Sequence, residues 1–119
     1  MDPEIIRKYC LKKKAATESF PFGNDTLVFK VSGKIFLLLA LDSDPLQFNV
    51  KCDPELAEAY RDQYRSVIPA FHMNKKHWNT VLLNGNVPAR LVWEMIDASY
   101  GLVVASLPLR DRKALGDYR

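Results

Sequence analysis

Both histidines of the chain, two adjacent lysines and two aromatic residues crowd into one short stretch, Pro69-Ala-Phe-His-Met-Asn-Lys-Lys-His-Trp-Asn79. These side chains suit the binding of nucleic acid. The ammonium groups of Lys75 and Lys76 can neutralise backbone phosphates, His72 and His77 add protonatable imidazoles, and Trp78 offers a ring on which a base can stack. Asn74 is either a ligand contact or the cap of a local turn. Lys30, Lys34 and Lys51 extend the basic set: Lys30 and Lys34 flank a predicted hairpin turn at Ser32-Gly33, which could lie as a wing against a phosphate backbone.

Other chemistries fit these residues less well. His77 with Ser99 and Asp97 would imitate a hydrolytic triad, but there is no nucleophile elbow, and Ser99 falls in the apolar stripe of a predicted helix. A metal site would have to gather His72, His77, Cys10 and Cys52, which lack a recognised ligand spacing. The expectation is therefore no catalytic residue, no cofactor and no metal, in a binding protein rather than an enzyme. No helix-turn-helix, zinc-finger or RNA-binding signature is visible, so binding is expected to be electrostatic and independent of base sequence. The competing class is a protein-interaction or chaperone-like module that uses an apolar sheet surface against a partner or in a homodimer. Phe20, Phe22 and Phe71 are the candidates for such a surface, although packing beneath the sheet edge is the reading preferred for them.

The elements that hold these residues follow from local signals. Asp2-Pro3-Glu4 and Asp53-Pro54-Glu55 both read as a capping carboxylate, a proline at the first helical position and an acid facing the dipole. The first opens a helix with Ile5, Ile6, Tyr9 and Cys10 on one stripe and a basic opposite face from Arg7 to Lys14. The second opens a helix to about Arg65 in which Leu56, Tyr60 and Tyr64 share a stripe. Ala15 to Asp25 reads as a short edge strand ending in a turn. Thr26 to Val31 and Lys34 to Leu41 form a hairpin across Ser32-Gly33, and the apolar run from Ile35 marks a central strand. Leu46, Phe48, Val50 and Cys52 alternate with Gln47, Asn49 and Lys51, giving one core face and one polar face. His77 to Leu83 is a strand with Trp78, Thr80 and Leu82 on one face, expected to be the core face, with Trp78 and Phe71 holding the preceding loop. Pro88 opens the longest helix, and Pro108 either stops it or starts a short last turn.

The predicted order α-β-β-β-β-α-β-α indicates an α+β fold of two layers, an antiparallel sheet with helices mainly on one face. The chain of 119 residues is expected to be a single domain over 1–119, with a partly ordered polar tail over 110–119. Its net charge of +3, 48% hydrophobic residues and 26% charged residues exclude a disordered or strongly polybasic class. The longest apolar run is too short to span a bilayer, and no export signal follows the basic stretch, so a cytoplasmic location without membrane attachment is expected.

Several blocks in this order resemble the MmcQ/YjbR family: Phe29-Lys30-Val31-Ser32-Gly33-Lys34-Ile35-Phe36, Leu46 to Lys51 followed by Asp53-Pro54-Glu55-Leu56-Ala57, Pro69 to Trp78, and Asp97-Ala98-Ser99-Tyr100. The resemblance implies a cytoplasmic bacterial domain, a fold similar to that of the type III secretion chaperones, and the family's customary description as DNA-binding. It implies no catalytic residues. The shared polar positions are Lys34, Lys51, Pro69, His72, Asn74, Lys75, His77, Trp78, Ser99 and Tyr100.

Overall fold

Asp2 caps the first helix as its sequence predicts, its carboxylate accepting the Ile5 N–H at 3.0 Å. The computed structural model describes residues 1–116; the last three residues of the predicted polar tail lie outside the described residues. Helix α1 (Pro3–Leu11) buries Ile6 and Cys10, and leads into strand β1 (Ala16–Ser19). Strands β2 (Thr26–Val31) and β3 (Lys34–Ala40) form the predicted hairpin. Its two turn residues have positive φ, 48° at Ser32 and 80° at Gly33, the left-handed conformation that matches a tight turn to the strand twist. Strand β4 (Gln47–Lys51) and helix α2 (Pro54–Gln63) follow, the latter capped by Asp53.

Strand β5 (Val67–Pro69), absent from the predicted order, pairs with β6 (Trp78–Leu82). Helices α3 (Ala89–Ala105) and α4 (Leu109–Ala114) follow, the latter mostly within the tail expected to be partly ordered. Among the described residues six strands make one antiparallel sheet in the order β1-β2-β3-β4-β6-β5, so β6 inserts beside β4 and moves β5 to the margin. The α+β architecture is as expected. The edge strand ends at Ser19, earlier than the aromatics of Phe20 to Phe22 suggest, and the expected turn occupies Pro21 to Asp25, where Pro21 has no N–H for a ladder bond.

The core lies between the sheet and α1 and α3. Leu27, Phe29 and Val31 of β2, Phe36, Leu37 and Leu39 of β3, and Phe48 and Val50 of β4 meet Leu91, Val92, Met95, Ile96, Val103 and Val104 of α3. Burial of each phenylalanine there contributes on the order of 2–3 kcal/mol.

A bulge interrupts this layer: Phe29 pairs with Leu37 but Lys30 with Ile35, so Phe36 has no opposite residue. The extra residue sends Phe36 and Leu37 into the same core, where the Phe36 ring meets Tyr100 edge-on with centroids 5.3 Å apart. The β3–β4 ladder stops at Leu37 and Val50. Beyond it, the buried Ser99 hydroxyl accepts the Lys51 N–H at 2.8 Å and donates to the Phe36 carbonyl at 2.6 Å. Ser99 is thus a structural bridge between α3 and the sheet.

Candidate functional site

Strand alternation divides the sheet into a face covered by α1 and α3 and an open face. Asn79 and Val81 pair with Val50 and Phe48, and so lie on the covered side. Trp78, Thr80 and Leu82 pair with Lys51, Asn49 and Gln47 on the open side. This reverses the expectation that Trp78 belongs to the core face: Trp78 is half-buried on the open face, and the polar Asn79 takes the buried position. Asn79 can be buried because both ends of its amide are bonded, Nδ2 donating to the Ala57 carbonyl at 3.2 Å and Oδ1 accepting from Arg61 at 3.2 Å.

The loop between β5 and β6 is built by backbone bonds and one side-chain cap. Met73 N–H donates to the Ala70 carbonyl, and the His77 and Trp78 N–H groups share the Asn74 carbonyl. Asn74 Oδ1 accepts the Lys76 N–H at 3.0 Å, so the asparagine carboxamide oxygen shapes the turn. From α2, Arg61 donates to the Lys75 carbonyl at 2.9 Å, and Cys52 N–H donates to the His77 carbonyl at 2.7 Å. Arg61 therefore anchors the loop, the task expected of Phe71. Phe71 is instead 63% exposed, with the Lys75 ammonium 5.1 Å from its ring centroid. Phe20 and Phe22, expected beneath the sheet edge, are exposed as well, on the loop that follows β1.

The sequence-predicted basic residues divide between locations. Lys30 and Lys51 are half-buried at strand positions on the open face, Lys30 paired with Thr17 and Ile35, and Lys51 paired with Trp78. Lys75, Lys76 and His72 are exposed on the adjacent loop, and His77 is half-buried at its end. Lys34 is separated from them: its ammonium lies 3.5 Å from the Ser106 carbonyl at the end of α3, on the covered side.

Between the β1–β2 loop and the β5–β6 loop the open face is hollow. A cavity of about 410 Å³ is lined by Phe22, Leu38, Ala40, Gln47, Asn49, His72 and Met73, with Thr26 and Phe48 completing it. Of these the sequence singles out His72 for nucleic-acid binding and Phe22 for an apolar surface. The alternation of Gln47, Asn49 and Lys51 is the signal that joins the hollow to the lysines, whereas Phe22 and Met73 reach it through loops that carry no such pattern.

Asp97 and Ser99, weighed above for a triad with His77, are engaged with other partners. Asp97 accepts from Tyr9 Oη at 2.8 Å and from Lys13 Nζ at 2.5 Å, and the Ser99 hydroxyl is committed to two backbone groups. Among the described residues no three His, Cys, Asp or Glu side chains converge as metal ligands. Burial pushes the Cys10 thiol up to about 12 and the Cys52 thiol up to about 11, away from reactive thiolates. No helix among the described residues is long and apolar enough to cross a membrane.

Comparison with known proteins gives a consistent relationship. A sequence model of the YjbR family matches residues 11–102. The uncharacterised protein YjbR of Escherichia coli K12 is 35% identical over 110 residues, covering 92% of this chain and 93% of that protein. The crystal structure of Deinococcus radiodurans protein DR2400, with a DUF419 domain, superposes with a TM-score of 0.92 at 38% identity, covering 98% of this chain and 88% of that one. A Pseudomonas syringae protein of known crystal structure gives a TM-score of 0.75 at 31% identity, covering 87% of this chain and 99% of its own.

Proposed function

This chain belongs to the YjbR family, and we propose that it is a DNA-binding protein, not an enzyme, that holds phosphates by electrostatic contacts independent of base sequence. One observation carries the reading: Lys30, Lys51 and Trp78 share the sheet face opposite α1 and α3, beside the loop bearing His72, Lys75 and Lys76. Lysines supply phosphate neutralisation and the ring supplies stacking, the two components of binding without base readout. Lys34 and Asn74 fall outside this working set, the first by position and the second by its turn bond. The DNA would be met in the cytoplasm, with no cofactor.

Titration of labelled single- and double-stranded DNA at two salt concentrations tests the proposal. With about four phosphates neutralised, the logarithm of the binding constant falls against log salt with a slope of roughly −3 to −4. A flat response would remove the proposal. A second reading, a protein-interaction module, is favoured by the exposure of Phe20, Phe22 and Phe71. Light scattering separates the two: a stable dimer formed through an apolar face and indifferent to DNA supports the second.

A further inference from the structure

The lysines account for phosphate and leave the neighbouring hollow without a task. Its floor is apolar, formed by Leu38 and Ala40, and Gln47 and Asn49 bring two carboxamides to it. Phe22, 65% exposed, approaches from the β2 side, while His72 and Met73 approach from the β6 side. Asn49 Oδ1 is occupied by the Thr80 hydroxyl at 2.5 Å, which leaves its Nδ2 as a donor. The Gln47 side chain makes no hydrogen bond among the described residues. An apolar cleft of this size with a few convergent polar groups has the make-up of a small-ligand pocket.

We infer that this cavity takes an unpaired nucleobase, so that the protein prefers single-stranded DNA to duplex. The inference rests on the DNA-binding proposal and deepens it. A base presents an apolar flat surface and a polar edge. The hollow offers Phe22 and His72 rings to the first, and the Gln47 and Asn49 amides to the second. Lys51 lies two residues along β4 from Asn49, roughly 7 Å at the strand rise, and Lys30 two residues along β2 from Val28, the cross-strand partner of the lining residue Leu38. Both lysines are therefore within side-chain reach of phosphates flanking a base in the hollow. In a duplex the same base is stacked and paired, and reaches such a pocket only by being flipped out.

Fluorescence anisotropy tests this with three labelled probes of equal length: oligothymidylate, an abasic oligomer with the same phosphates, and a duplex. The expected result is oligothymidylate binding roughly tenfold tighter than the abasic oligomer, the gain of about one stacked base. Phe22→Ala, at an exposed loop position, should abolish that difference while circular dichroism and the salt slope stay as in the unaltered protein. Equal affinity for oligothymidylate and abasic oligomer, with the salt slope kept, overturns the base pocket and leaves phosphate binding standing. Duplex binding as tight as oligothymidylate overturns it too. Failure of all three probes to bind overturns both proposals and leaves the hollow to an apolar side chain of a protein partner.

Discussion

The Ser99 hydroxyl on α3 donates to the carbonyl of Phe36 on β3 at 2.6 Å, at the point where the bulge takes Phe36 out of the strand ladder. Because the same oxygen accepts the Lys51 N–H, one side chain satisfies two backbone groups that the bulge would otherwise leave unpaired in the interior. Ser99→Ala should therefore lower stability by about 2–3 kcal/mol. Urea denaturation should register a lower midpoint at unchanged slope. An unshifted midpoint would mean that the bulge needs no bridge.

The two sides of the sheet predict opposite outcomes for Lys30 and Lys51 on one and Lys34 on the other. Removing Lys30 or Lys51 by alanine substitution should reduce the salt slope of DNA binding by about 1 each, the signature of one lost phosphate contact. Lys34→Ala should leave slope and affinity unchanged, because that ammonium lies by the end of α3. Equal losses at all three would argue that the charges act through the protein's overall field.

Asn79→Ala should cost about 1–3 kcal/mol, since it leaves the Ala57 carbonyl without its amide donor and removes one acceptor from Arg61. With Arg61 less constrained, the loop it ties at the Lys75 carbonyl should open more readily. Hydrogen exchange should quicken at the amides of Lys76, His77 and Trp78, while the β2–β3 hairpin keeps its protection.

Hydrogen bonds from Arg7 at 2.7 Å hold the Glu18 carboxyl below its ordinary value of 4.5. A carboxyl depressed in the folded state binds fewer protons there than in the unfolded chain. Its contribution is fully present above the ordinary value and is lost as pH falls through the folded one. Denaturation midpoints measured from neutral pH down through the carboxylate range should therefore decline less steeply for Glu18→Gln than for the unaltered protein. Parallel acid limbs would show the pair to be without influence on folding.

Burial of both thiols gives a chemical test of the core. At mildly alkaline pH a disulfide reagent should leave Cys10 and Cys52 unmodified in the native protein and titrate both in denaturant. Rapid modification of Cys10 in native buffer would contradict the packing of α1 on the sheet.

Elements whose signals are local were legible in the sequence: the Asp-Pro caps of α1 and α2, the Ser32-Gly33 hairpin, and the long stripe of α3 opened by Pro88. The family blocks led to the same fold. Strand β5 was not legible, because three residues ending in proline carry no period to detect. Nor was the facing of β6. Its alternation was correct, but a tryptophan outweighed an asparagine as a sign of the core, and the bonds that let Asn79 be buried come from Ala57 and Arg61 on a different element. The candidate site was half legible for the same reason. Strand pattern identifies Lys30 and Lys51, while Phe22 and Met73 arrive at the hollow by loop paths that only tertiary structure fixes.

The margins of the sheet have a consequence for how copies of the protein meet. One edge is β5, three residues long and closed by Pro69, whose nitrogen has no hydrogen to donate. The other is β1, four residues long, its Glu18 held by Arg7. Both margins are poor templates for a further strand, so growth by strand addition is disfavoured at either end. Self-association is left to the faces of the sheet and the outer surfaces of the helices.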